Sequence, residues 1–191
     1  MRRSPTFVHG VIALAGVAGF LAVVIPLHFL QPGYDPAQQL MSELALGPYG
    51  ETMVLAFASI AAALAAIVAA LGRLGARLPV RVALGLASIS FALSGAFPLG
   101  ATSAIHIAAI ASAFVTAVLA IYLFPSMAGP AAWVAPRAVC WSLAGGVAVA
   151  VALGHSVLPM GVGQRLAAAC LFAWIAWVGL TLARSQAKVA A

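Results

Sequence analysis

The sequence predicts an all-α protein, a polytopic bundle of six transmembrane helices with a short amphipathic helix in the first outer loop. Hydrophobic residues make up 65% of the 191 residues and charged residues only 6%. So little charge cannot cover the surface of a water-soluble domain of this size. Apolar runs of about 20 residues, enough to cross roughly 30 Å of hydrocarbon, recur along the whole chain. We therefore predict a single transmembrane domain over residues 1–191.

Turn-forming and polar residues between the apolar runs set the bounds of six predicted spans. The first run is longer than the apolar core of a signal peptide, so we expect it to be an uncleaved span. Proline and glycine mark both inner connections, and they also mark the tight outer turn at residues 98–102. The predicted spans are residues 7–30, 52–72, 80–99, 103–124, 137–157 and 165–184.

The long loop after the first span is the most extended polar stretch of the sequence. Asp35 is a suitable cap for a helix that has Pro36 at its first position, and Gly47-Pro48 can end that helix. The pattern predicts a short helix over residues 36–46 that lies across the outer mouth of the bundle. Its apolar face would consist of Leu40, Met41 and Leu44.

Charge is distributed unequally between the two ends of the predicted bundle. All three acidic residues fall in the first outer loop, whereas eight of the nine basic residues fall at the opposite side. Because lysine and arginine are retained on the cytoplasmic side of short loops, both termini are predicted to be cytoplasmic. The basic residues form no continuous patch, which argues against nucleic acid and favours membrane lipid as the partner. They are Arg2, Arg3, Arg73, Arg77, Arg81, Arg137, Arg184 and Lys188.

The outer side of the predicted bundle gathers the ionisable residues that could form a site. Ionisable groups at membrane depth are rare and tend to mark functional positions. Arg165 is the single outward-facing basic residue, and we expect it to form a salt bridge with Glu43 or else with Asp35. The candidate ligand-binding residues are Asp35, Glu43, His106, His155 and Arg165.

Two kinds of chemistry are compatible with these residues. His28, His106 and His155 with a carboxylate are an acceptable ligand set for zinc, copper or iron, although none of the usual metal-binding spacings is present. The alternative to a binding protein is a membrane-embedded hydrolase, which would use Ser42 or a metal-bound water as nucleophile and a histidine such as His106 as base. The main prediction is a non-catalytic protein that binds a lipid or other ligand, or is an accessory subunit of a larger membrane complex.

Short motifs in three parts of the chain resemble one bacterial membrane family, named domain of unknown function 998. The resemblance covers essentially the whole chain and implies six spans in a bacterial inner membrane, with no established reaction. This chain has Gly100 where the family often has an acid shortly after a Phe-Pro pair. The motifs are Tyr34-Asp35 with Ser42-Glu43-Leu44, Phe97-Pro98 with His106, and Gly163-Gln164-Arg165.

Overall fold

Six long apolar helices form an antiparallel bundle in the computed structural model, which describes residues 5–154 and 156–185. Each helix is long and apolar enough to cross a membrane. No strand occurs in these two described ranges, so the predicted all-α bundle is confirmed. The helices are α1 (Phe7–Leu30), α2 (Met53–Arg73), α3 (Leu78–Ala96), α4 (Ser103–Met127), α5 (Arg137–Gly154) and α6 (Met160–Arg184).

The helix bounds follow the prediction closely except where proline is involved. Helix α3 ends at Ala96, because a residue that precedes proline, here Phe97, is disfavoured in helical conformation. Helix α6 begins directly after Pro159, about one turn earlier than the predicted span at residues 165–184. This early start is important for the site, because it places a helical turn beside the first outer loop.

The helices pack as a ring in which consecutive helices are neighbours and α6 returns to α1. The α1–α6 contact is close because Gly10 and Gly179 face each other. A Cβ atom at Gly10 would lie 2.5 Å from the Gly179 carbonyl oxygen, so only glycine fits there. Helices α4 and α5 pack against each other less extensively than any other neighbouring pair in the ring.

The helix predicted for residues 36–46 is wrong in its first half. Residues 36–39 form a turn in which Asp35 Oδ1 accepts a hydrogen bond from Ala37 N at 2.8 Å. Leu40 is extended, and a 3₁₀ helix then runs over Met41–Leu46. Glu43 Oε1 caps this helix by accepting a hydrogen bond from Leu40 N at 2.8 Å. The Asp35 side chain therefore stabilises a turn instead of starting a helix.

The two ends of the bundle differ in charge within the described ranges. One end, which we call the loop end, carries every acid of the chain, namely Asp35, Glu43 and Glu51, together with Arg165. The opposite end, which we call the arginine end, carries Arg73, Arg77, Arg81, Arg137 and Arg184.

Candidate functional site

The guanidinium group of Arg165 joins three parts of the loop end. Its Nη1 donates to the carbonyl oxygens of Gln39 at 2.9 Å and Gly161 at 3.0 Å. Its Nη2 lies 2.9 Å from His28 Nε2 and donates to the Tyr34 hydroxyl at 2.5 Å. Helix α1, the loop and helix α6 are thus held together by one side chain. We call Arg165, His28 and Tyr34 the arginine clasp.

The hydrogen bonds of His28 assign its tautomer. Its Nδ1 lies 2.6 Å from the carbonyl oxygen of Val24, which can only accept, so Nδ1 carries the hydrogen. Nε2 is then free to accept a hydrogen bond from Arg165. The ring packs edge-on against Tyr34, with centroids 5.1 Å apart. The clasp therefore uses His28 as an acceptor for a permanent cation, an arrangement that leaves no free nitrogen for a metal ion.

Tyr34 connects the clasp to the backbone of the loop. Its hydroxyl donates to the Leu40 carbonyl oxygen at 2.9 Å while it accepts from Arg165. Burial raises the pKa of Tyr34 above its ordinary value, although the Arg165 guanidinium acts in the opposite direction. The phenol therefore stays protonated at neutral pH, where it is needed as a donor.

The start of α6 forms hydrogen bonds with the backbone of the loop. Gln164 Oε1 accepts a hydrogen bond from Met41 N at 2.6 Å, and Val162 N donates to the Ala37 carbonyl oxygen at 3.1 Å. A Cβ atom at Gly161 would collide with the carbonyl oxygens of Pro36, Ala37 and Gln39. A free N–H group at the helix start, that of Val162, thus satisfies a carbonyl group of the loop, and glycine at position 161 permits the close approach.

The predicted salt bridge from Arg165 to Glu43 or Asp35 is wrong. All four hydrogen-bond partners of the guanidinium are carbonyl oxygens, a histidine ring and a phenol. The Glu43 carboxylate is directed into the loop, where it contacts Leu40 N and Gln39 Nε2. Local capping of the 3₁₀ helix thus prevails over the ion pair, and carbonyl dipoles compensate the arginine charge instead.

Ser42 and His106 do not form a nucleophile–base pair. Ser42 is buried and lines a cavity of about 20 Å³, which has room for no more than one water molecule. His106 is 1% exposed, and its Nδ1 contacts the carbonyl oxygens of Ser94 at 2.9 Å and Phe97 at 3.1 Å. Its Nε2 is buried without a partner. His106 thus ties the start of α4 to the end of α3.

The proposed metal ligands are not gathered into one site where the structure describes them. No group of three or more histidine, cysteine, aspartate or glutamate side chains that could hold a metal ion occurs in residues 5–154 and 156–185. His28 belongs to the arginine clasp, and His106 contacts α3. His155 lies outside the described residues. Asp35 stabilises its own turn and does not contact Arg165.

A second loop anchor, Gln31, was missed by reasoning from sequence. Its side chain is buried, and its Nε2 donates to the carbonyl oxygens of Leu44 at 2.7 Å and Pro48 at 2.9 Å. The available signal was a glutamine directly after an apolar span, since a polar side chain that becomes buried there requires hydrogen-bond partners. Gln31 and the clasp together hold both halves of the loop on the bundle.

A lateral groove, which sequence reasoning did not find, opens on one side of the bundle. It has a volume of about 700 Å³ and opens where α4 and α5 separate, with α6 as its back wall. Its only polar side chains are Gln164 near the loop end and Tyr122 near the arginine end. We call it the lateral groove. It is lined by Leu40, Ile107, Ile110, Ala111, Phe114, Val115, Val118, Leu119, Tyr122, Val147, Ala148, Val151, Gly154, Met160, Gly163, Gln164 and Ala167.

Comparison with known proteins identifies a family without a described activity. A family model described as "Protein of unknown function (DUF998)" matches residues 14–181. No curated protein and no solved structure matches the chain. The match includes the arginine clasp, the loop and all the residues that line the groove. With six apolar helices in one bundle, the chain is a multi-pass membrane protein that belongs to the DUF998 family.

Proposed function

We propose that this protein binds a membrane lipid without catalysing a reaction, and that the lateral groove holds one of its acyl chains. The observation that carries the proposal is the groove itself. A volume of about 700 Å³ lies within the range of roughly 300–1,000 Å³ that is typical of small-molecule sites. Its apolar lining matches the chemistry of a hydrocarbon chain.

The dimensions of the groove support a chain-like ligand. From Ile107 to Tyr122 it extends about 22 Å along α4, at 1.5 Å of rise per residue. One leaflet contributes about half of the roughly 30 Å hydrocarbon thickness. An acyl chain from either leaflet therefore fits within the groove.

The loop end gives the groove a fixed boundary. Leu40 and Gln164 both line the groove, and Gln164 is bonded to the neighbouring Met41 backbone. The arginine clasp and Gln31 hold the loop in place. The loop therefore forms a fixed wall at this end of the groove. The residues with catalytic potential, Ser42 and His106, are both buried, and the cavity beside Ser42 has a volume of only about 20 Å³, which favours binding over hydrolysis.

Filling the groove tests the proposal directly. Ala148 lies exposed on α5 and lines the groove, so Ala148→Phe should occupy the space of a chain without disturbing the core. We expect the variant to retain fewer co-purified lipids than the wild type, as counted by native mass spectrometry from mild detergent. Val149→Phe is the matched control, because Val149 is exposed on the same helix but does not line the groove.

The outcomes separate clearly. Lipid loss in Ala148→Phe alone supports a chain in the groove. Equal lipid retention in the wild type and both variants contradicts it. A change of oligomeric state in Ala148→Phe, with unchanged lipid retention, would instead indicate that a protein helix occupies the groove, as expected for an accessory subunit.

A further inference from the structure

We infer that the groove selects an anionic phospholipid from the leaflet at the arginine end, through a headgroup site formed by Arg137, Trp141 and Tyr122. This inference rests on the proposed lipid-binding function and adds the class of headgroup and the leaflet. None of the three residues belongs to the arginine clasp, which lies at the opposite end of the bundle.

The three side chains form a continuous stack at the end of the groove. The rings of Tyr122 and Trp141 are stacked with centroids 6.1 Å apart and an interplanar angle of 24°. Trp141 Nε1 donates to the Tyr122 carbonyl oxygen at 3.2 Å, which fixes the indole against α4. The Arg137 guanidinium lies 5.0 Å from the Trp141 ring centroid. A cation is thereby positioned on an aromatic pair of which one member, Tyr122, lines the end of the groove.

This stack remains open to the surroundings of the bundle. Tyr122 is 57% exposed and Trp141 46% exposed, and Arg137 is exposed as well. Aromatic side chains with a polar edge are favoured at the level of lipid headgroups. Tyr122 also lines the groove. A chain that lies in the groove therefore leaves it beside the Tyr122 ring and within reach of Arg137.

The charge at this end favours an anion. Arg137 has no carboxylate partner in the described ranges, and every acid of the chain lies at the loop end. An arginine guanidinium presents a fork of donors that matches the oxygens of a phosphate group. Arg137 also begins α5, so the positive end of that helix adds to the same field. A phosphatidylglycerol-type headgroup satisfies both features, whereas a zwitterionic headgroup carries its own competing cation.

Lipid competition with spin-labelled phospholipids tests this inference in vesicles of phosphatidylcholine. With the wild-type protein, we expect a larger motionally restricted fraction of spin-labelled phosphatidylglycerol than of spin-labelled phosphatidylcholine. In Arg137→Gln this preference should fall by about fivefold, the effect of one arginine near a headgroup, while phosphatidylcholine is still restricted. Arg73→Gln is the matched control, because Arg73 is an exposed arginine at the same end but lies on α2, away from the groove.

The inference and the proposed function can fail separately. The headgroup site is wrong if Arg137→Gln keeps the wild-type preference for phosphatidylglycerol, or if Arg73→Gln loses as much of that preference. Either result leaves the binding of an acyl chain in the groove intact. If the motionally restricted fraction of both lipids is the same for Ala148→Phe as for the wild type, the groove does not hold an acyl chain, and both proposals are wrong. If Ala148→Phe removes the restricted lipid and Arg137→Gln removes only the preference, both are supported.

Discussion

Arg165 shows how a partly buried charge is stabilised without an opposite charge. Two carbonyl oxygens, an imidazole nitrogen and a phenol oxygen surround its guanidinium. The partial charges on these acceptors provide the compensation that a carboxylate would otherwise supply. Because its partners come from α1, the loop and α6, the residue also links these three parts of the loop end.

Replacing Arg165 by glutamine should release the loop from the bundle. The change removes up to four charge-assisted hydrogen bonds, each worth about 1.5–3 kcal/mol in a folded protein. We expect faster proteolysis between residues 33 and 50, measured by limited digestion in detergent. The proteolysis rate of Arg165→Lys should lie between those of the wild type and Arg165→Gln, since a lysine ammonium keeps the charge but lacks the planar fork of the guanidinium. Digestion of Arg165→Gln at the wild-type rate would show that Gln31 alone holds the loop.

At the residue scale the sequence singled out Arg165 but not the groups that contact it. Arg165 was identified because it is the single exception to the charge asymmetry. Its partner was predicted wrongly, because salt bridges are inferred from formal charges whereas backbone carbonyls are invisible in a residue pattern. Gln31 was missed for the same reason, since both of its partners are carbonyl oxygens.

At the scale of single elements, the start of α6 and the loop determine each other's conformation. Residues 36–39 of the loop form a turn and not a helix. The carbonyl oxygens of Pro36, Ala37 and Gln39 lie against the first turn of α6. Propensity rules for Asp35 and Pro36 describe an isolated segment, so they predict a helix. In the structure Asp35 instead accepts a hydrogen bond from Ala37 N in a turn, and this turn directs the Ala37 carbonyl oxygen to Val162 N of α6.

Gly161→Ala should separate the loop from α6. The new Cβ atom would collide with three carbonyl oxygens, so the loop must move or its hydrogen bonds must break. We expect a lower unfolding temperature in detergent and faster loop proteolysis. Gly145→Ala is the control, because a Cβ atom there meets nothing within 4 Å. That control should be neutral or stabilising, since alanine in a helix gains about 0.5–1 kcal/mol over glycine.

At the scale of the whole molecule, hydrophobic run length and turn residues were sufficient for the six-helix bundle. Each span must satisfy its own backbone hydrogen bonds in lipid, so helices are the only choice for such runs. The lateral groove could not be predicted in this way. Small residues occur in every helix, and nothing in their pattern shows that α4 and α5 are the pair that separates.

The orientation of the bundle follows from its charge asymmetry and stays a prediction. In a variant without Cys140 and Cys170, single cysteines at Arg77 and Trp133 should react with impermeant reagents only from the cytoplasmic side. A cysteine at Gln38 should react from the outside. These positions are suitable because all three are exposed, whereas Ser42 is buried. Labelling of residue 38 from the cytoplasm would invert the protein and assign the Arg137 site to the outer leaflet.

The unequal packing of the ring gives the bundle one mechanically soft direction. The α1–α6 seam is closed by backbone contact at Gly10 and Gly179, so its separation is fixed. The α4–α5 seam shows no such glycine contact and is the least extensively packed of the ring, so separating these two helices would lose the fewest van der Waals contacts. In the proposed lipid complex, acyl chains of different thickness, including those with a kink at a double bond, would be accommodated by adjusting this one interhelical distance.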